Sequence, residues 1–177
     1  MWIYLNYYVI GCDGTGKTTL VNKLSEVTGM PVVRGSSFEL TANKNQDELF
    51  ESFKSLLKYD NVIFDRFIYC NEVYAPLYKD YSCLSDSQRR EIEADLPEGS
   101  ELIYLVAEKE TIINRFNTRG EEYVKEDKIE TILSSYEESL SKTTIPVSKF
   151  NTTHLSTEEI VGIITGEYKW LKKIQVY

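Results

Sequence analysis

Gly11-Cys12-Asp13-Gly14-Thr15-Gly16-Lys17-Thr18 decides how this chain folds. The stretch fits the phosphate-loop pattern G-x-x-x-x-G-K-[ST] at every fixed position. Its flanks fit as well. Tyr4 to Ile10 is an apolar run that reads as a buried strand, and Thr19-Leu20-Val21-Asn22-Lys23-Leu24 opens an amphipathic helix. A glycine-rich turn between strand and helix aims several backbone N–H groups at one point, with the positive end of a helix behind them. Such a point takes polyphosphate. The pattern assigns Lys17 to the β- and γ-phosphates and the Thr18 hydroxyl to Mg²⁺. Gly11, Asp13, Gly14, Thr15, Gly16 and Thr19 complete the binding loop.

Outward from this loop, strands and helices alternate. Ile3 to Ile10, Pro31 to Arg34, Asn61 to Asp65, Glu101 to Val106 and Val147 to Phe150 read as strands. Lys17 to Val27, Gln46 to Tyr59, Phe67 to Tyr81, Ser85 to Leu96, Glu108 to Phe116, Glu126 to Lys142 and Ser156 to Trp170 read as helices. Pro76 disturbs the third of these. Gly35 to Asn45 reads as a polar loop, and Asn117 to Gly120 as a break. The alternation predicts an α/β protein of the P-loop NTPase fold: a five-stranded parallel sheet with helices on both faces and a helical lid. A length of 177 residues suits one domain over 1–177, with the lid near 115–126.

The composition, 42% hydrophobic and 12% aromatic, is that of an ordinary globular protein. A net charge of −8 argues against general nucleic-acid binding, which normally shows a basic face. Cys12, Cys70 and Cys83 are odd in number and lack C-x-x-C spacing. They read as free thiols in a reducing compartment, so a cytoplasmic location is expected. No apolar stretch approaches the ~18 residues that would span a membrane, and the start lacks the basic region of a secretory signal.

Ligands of open parallel sheets bind at the carboxyl ends of the strands, where Arg34, Asp65 and the loop all fall. Asp65 can reach the Mg²⁺ shell near Thr18, and Arg66 offers a planar fork to a phosphate. Arg34, beside the polar loop, can contact an acceptor phosphate. Arg115 and Arg119 share one helix face if the helix continues through them, and Gly120 permits a sharp change of direction. Two such arginines suit a lid that closes over transferring phosphates and stabilises the charge of the transition state. Phe38, Phe67, Tyr69 and Tyr74 are candidates for stacking on a flat acceptor base. His154, the single histidine, has no partner set for catalysis.

Together these residues resemble the thymidylate kinase family of nucleotide kinases. Gly11 to Thr19 is similar to that family's loop, including its internal Asp-Gly. Asp65-Arg66-Phe67, followed by Cys70 and Tyr74, resembles its D-R-[YH]-x-x-S element. Arg115-Phe116-Asn117-Thr118-Arg119-Gly120-Glu121-Glu122-Tyr123 resembles its lid, with a following helix ending in Tyr136-Glu137-Glu138. Asn151 to Ile164 resembles the segment that lies near the adenine base. The resemblance implies ATP and Mg²⁺ as cofactors and transfer of a phosphoryl group to a deoxynucleoside monophosphate, a pyrimidine such as dTMP. It implies that Asp13 bonds the acceptor sugar's 3′-hydroxyl, that Arg66 and Arg34 serve the acceptor phosphate, and that Phe38, Cys70 and Tyr74 line the acceptor site. Gly14 replaces a loop arginine, which implies the lid-arginine type, with Lys17, Arg66, Arg115 and Arg119 as the catalytic cations. A homodimer is the family's usual assembly. The chain departs from the pattern on the acceptor side, where Gly35-Ser36-Ser37 stands for Glu-Pro-Gly and Cys70 for the motif serine.

Two other readings stand beside this one. The acceptor could be a deoxynucleoside or the hydroxyl of a modified base in DNA, which wants a carboxylate base from Glu39 or Asp13. Alternatively, Asn43-Lys44-Asn45-Gln46 superficially resembles the guanine-reading N-K-x-D of a GTP-binding switch, although it ends in Gln46 and comes too early in the chain.

Overall fold

Tyr7–Gly11 (β1), Val32–Arg34 (β2), Ile63–Asp65 (β3), Glu101–Val106 (β4) and Val147–Asn151 (β5) pair as one all-parallel sheet in the order β2-β3-β1-β4-β5. The computed structural model describes residues 5–120 and 125–167. The expected strand residues 3 and 4, lid residues 121–124 and helix end 168–170 lie outside them.

The period of two along the strands feeds two cores. Tyr8, Ile10, Phe64, Leu102 and Tyr104 face one, and Tyr7, Val9, Ile63, Ile103 and Leu105 face the other. The second core takes Leu20, Val21 and Leu24 of Lys17–Thr28 (α1) and Ile160, Val161, Ile163 and Ile164 of Thr157–Thr165 (α8). On the opposite face lie Phe38–Thr41 (α2), Gln46–Lys54 (α3), Ile68–Tyr74 (α4), Asp86–Ala94 (α5), Lys109–Arg119 (α6) and Ile129–Leu140 (α7), with Leu49, Phe53, Ile92, Ile112, Ile132 and Tyr136 in its core. Helices therefore cover both faces of the sheet. The chain leaves β1 toward β2 and later returns past it to β4, so a crevice opens at the carboxyl end of β1.

Capping chemistry sets several boundaries. Asn45 with Glu48, Ser85 with Gln88 and Ser156 with Glu159 each form a capping box, and Gly29 closes α1 in the left-handed region. The structure corrects three expectations. The polar loop contains α2, because the Ser37 hydroxyl accepts the Leu40 N–H at 3.3 Å and starts a helical turn. The helix expected over 67–81 stops at Tyr74 and tightens into a 3₁₀ turn over Ala75–Leu77, since Pro76 has no N–H to continue the ladder. The break expected at Asn117 is absent: α6 runs on to Arg119, the Thr118 hydroxyl bonding back to the Asn114 carbonyl at 2.8 Å. Gly120, with φ +66°, is what ends it.

Candidate active site

The loop owes its path to close packing as well as to glycine's freedom. A Cβ on Gly11 would lie 2.3 Å from the Leu105 carbonyl oxygen, so no other residue fits beside β4 there. Gly16, with φ +93°, is the N-cap of α1 and has no capping side chain, which leaves the N–H groups of the first turn to a ligand. The Cys12 carbonyl accepts from the Thr15 hydroxyl at 2.7 Å and from Lys17 Nζ at 2.8 Å. Burial pushes the Cys12 thiol itself up to about 11, against the opposing pull of Lys17, so it stays protonated.

One carboxylate joins two cations at this point. Asp13 Oδ1 lies 2.7 Å from Arg66 Nη2 and 3.4 Å from Lys17 Nζ. Burial would raise the Asp13 pKa, but Lys17 and Arg66 outweigh it and hold the carboxyl below its ordinary value. Lys17 shifts the other way with respect to charge: burial depresses it despite Asp13. The asymmetry has a cause. Lys17 is buried beside one carboxylate and a second cation, Arg66, whereas Asp13 has two cations. Arg66 is placed by an unusual backbone, with φ +68° and its N–H on the Val9 carbonyl at 3.0 Å. That turn presses its own carbonyl against Gly35, where a Cβ would come within 2.0 Å.

Two cavities flank the loop. The first, about 260 Å³, is bounded by Asp13 and Arg66, by Cys70, Asn71 and Tyr74 of α4, by Phe38 and Thr41 of α2, and by Tyr78 and Tyr81. The second, about 270 Å³, is bounded by Thr15, Gly16, Thr19 and Leu20, by Arg115 and Arg119 of α6, and by Thr152, Leu155 and Ser156 at the turn into α8. Asp13 thus faces one cavity while its loop neighbours two residues on face the other.

The predicted site residues are distributed as follows. Thr18 is exposed on the first turn of α1, and Asp65 ends β3 beside β1. Tyr74 accepts the Asp13 N–H at 3.0 Å, and burial raises its pKa, so the phenol keeps its proton. Cys70 is buried and its Sγ accepts from Tyr136 at 3.1 Å; the same hydroxyl lies 3.0 Å from the Gly11 carbonyl. Phe38 is 62% exposed at the mouth of the first cavity. Arg34 is exposed at the end of β2 and borders neither cavity. Arg115 is engaged: it donates to the Gly14 carbonyl at 2.9 Å and to Thr152. Arg119 is exposed one turn further along.

Two of the four aromatic candidates belong elsewhere. Phe67 packs against Tyr8, Phe53 and Phe64 in the core, and Tyr69 donates to Glu93 at 2.8 Å beneath α4. Glu93 also pairs with Arg89, whose Nη1 meets Glu72 at 2.9 Å, so a buried ionic network fixes α4 to α5. Tyr78 and Tyr81 take the place of Phe67 and Tyr69 at the cavity. Asn71, for which the sequence suggests no role, is buried on the cavity floor with its Oδ1 unpartnered. A signal existed for its placement, since Asn71 lies three residues before Tyr74 and so shares its helix face. Asn43 to Gln46 serves structure: Asn45 caps α3, and the Lys44 carbonyl accepts the Ser82 hydroxyl. His154 pairs with Glu108 on the surface at 3.1 Å. Among the described residues no cluster of three acidic, Cys or His side chains could hold a metal alone, and no helix is long and apolar enough to cross a membrane.

No protein-family model matches the chain. It is 40% identical over 150 residues to the SPbeta prophage-derived protein YorR of Bacillus subtilis (strain 168), covering 85% of this chain and 90% of that protein. This chain belongs to the YorR family. A crystal structure of YorR from Bacillus subtilis, in complex with phosphorylated GDP, aligns with a TM-score of 0.84 at 37% identity over 93% of this chain and 96% of YorR. The YorR-family fold is in turn that of P-loop kinases. Deoxyadenosine kinase from M. mycoides with bound dATP has a TM-score of 0.60 at 19% identity, over 93% of this chain and 99% of that one. Thymidylate kinase from Candida albicans has a TM-score of 0.58 at 15% identity, over 96% and 92%.

Proposed function

We propose that this protein transfers the γ-phosphoryl group of ATP to a deoxynucleoside monophosphate, a pyrimidine such as dTMP, giving the diphosphate. The observation that carries the reading is the pair of cavities on either side of one phosphate loop, with Lys17 and Arg66 meeting at Asp13 between them. The second cavity takes the ATP nucleoside, and Lys17 receives the β- and γ-phosphates. The first takes the acceptor, its phosphate on Arg66 with Arg34 at the approach, its sugar hydroxyl on Asp13, and its base between Phe38 and the α4 floor of Cys70, Asn71 and Tyr74. Residues 1–177 act as one kinase domain, with 115–126 as the lid. The homodimer rests on the resemblance alone.

The chemistry needs no general base. An acceptor phosphate oxygen is already ionised near neutral pH, so it attacks the γ-phosphorus as the bond to the β-bridging oxygen breaks and ADP leaves. Catalysis then consists of positioning and charge stabilisation. Arg119 supplies the cation that meets charge developing on the transferring group. Mg²⁺ would be held by Thr18 and Asp65 together with the phosphates, since Mg²⁺ is commonly bound through one or two carboxylates and substrate oxygens; when bound it neutralises phosphate charge.

ADP formation from ATP with Mg²⁺ and a panel of nucleosides and nucleoside monophosphates tests this. Turnover is expected with a deoxynucleoside monophosphate; turnover only with free nucleosides or DNA hydroxyls overturns it. The phosphorylated GDP bound to YorR favours a second reading, in which a guanine nucleotide is the acceptor, and including dGMP and GMP in the same panel separates the two.

A further inference from the structure

The geometry points to Thr152 as a positioning residue for the ATP phosphates, acting with Arg115 as a clasp that turns the phosphate loop's N–H groups inward. Neither side chain needs to touch the transferring group for this role. The inference rests on the second cavity being the ATP side.

Thr152 follows β5 directly, and its backbone N–H bonds the Val106 carbonyl at 2.8 Å. Its hydroxyl lies 2.9 Å from the Thr15 carbonyl and 3.2 Å from that of Val106. A hydroxyl has one proton and two lone pairs. Val106 is already satisfied by the N–H, so the proton goes to the nearer Thr15 carbonyl. A lone pair of the same oxygen accepts from Arg115 Nη1 at 2.9 Å. That nitrogen also donates to the Gly14 carbonyl at 2.9 Å, while Nη2 takes the Thr152 carbonyl at 2.7 Å. Two successive loop carbonyls are therefore held outward, toward the end of β5.

A trans peptide places each carbonyl opposite the next residue's N–H. Holding the Thr15 carbonyl outward fixes the Gly16 N–H on the opposite, concave side. The loop needs such a constraint, because Gly14 and Gly16 adopt φ +81° and +93° and glycine resists no rotation of its own. Apolar packing completes the clasp: a Cβ on Gly14 would lie 3.1 Å from both Ile112 and Phe116 of α6. Arg115 is thereby a strut between loop and helix, and the helix it anchors carries Arg119.

Thr152→Val keeps the shape and removes the hydroxyl, whereas Thr152→Ser keeps the hydroxyl. Calorimetric titration of each full-length variant with ADP is the test, with melting temperature and both KM values measured alongside. Thr152→Val is expected to weaken ADP binding and raise the KM for ATP about tenfold, the scale of one buried hydrogen-bond partner lost, with the acceptor KM unmoved. Thr152→Ser is expected to recover most of that loss. In an Arg115→Met background, Thr152→Val should add little, because the two act as one clasp. Wild-type affinity in Thr152→Val overturns the proposal, as does equal impairment of the Val and Ser variants. Failure of the wild-type protein to bind ADP removes the assignment of the second cavity and the clasp with it.

Discussion

The two sides of the phosphate loop are built by different means. On the side proposed for ATP the working groups are backbone amides, fixed by glycines, by the start of α1 and by the carbonyl contacts of Arg115 and Thr152. On the side proposed for the acceptor they are side chains gathered from α2, α4 and the segment carrying Tyr78 and Tyr81. A backbone site depends on local sequence, so it has to be spelled out in one motif. A side-chain site depends on tertiary packing, so its residues can be scattered and exchanged singly. Under the proposed function, the difference teaches where specificity resides: triphosphate binding is written into the loop, and acceptor choice into a few replaceable side chains.

The sharpest break comes at Lys17, where both sides meet. Lys17→Ala should reduce turnover by about a thousandfold or more, the upper range for losing one charged contact to a transition state, while circular dichroism shows an unchanged fold. Arg119→Ala ranks next. It should lower kcat by about a hundredfold and ADP affinity only a few-fold, since its partner charge develops in the transition state. A variant that merely binds ADP more weakly would place Arg119 on the nucleotide instead. Asn71→Ala should raise the acceptor KM about tenfold by removing a buried polar contact to the base, and ADP binding should not change. Equal effects on both nucleotides would erase the division between the sides.

The smallest effect concerns pH. The carboxyl of Asp13 titrates below its ordinary 3.8 in the folded protein, because Lys17 and Arg66 prevail over burial. A depressed carboxyl stabilises the fold fully above its unfolded pKa, and that contribution is lost as pH falls through the folded value. The melting-temperature gap between wild type and Asp13→Asn should therefore be level from pH 5 to 8 and close progressively below 3.8. A gap that changed near neutrality would mean another group controls this site.

What could be read from the sequence follows the same division. The five strands, the loop and the helix starting at Ser156 were legible because each is a local pattern: apolar runs, glycine spacing, and helical periodicity. Cys70 and Tyr74, which the resemblance sets after Asp65-Arg66, line one cavity with Arg66. Phe67 and Tyr69 were misplaced because an aromatic residue carries no label that separates a core ring from a stacking one; only the packing of Tyr8, Phe53 and Phe64 around Phe67 does. Tyr78 and Tyr81 carry no local signal, because an isolated bridge between Ala42 and Tyr81 brings them to the cavity across a long sequence separation. The engagement of Arg115 with Thr152 joins residues 37 positions apart and leaves no local trace.

Gly35 bears on how substrate preference can drift among relatives of this chain. Its Cα faces the Arg66 carbonyl so closely that any side chain would collide with backbone. Gaining a carboxylate there would require Arg66 to give up its left-handed turn, and with it the orientation of the guanidinium. A relative that carries the Glu-Pro-Gly of the thymidylate kinase pattern must therefore set the peptide after its Asp-Arg differently from this chain. Exchanging the rings around the first cavity needs no such backbone change, so side-chain replacement there is the easier route for this chain to vary.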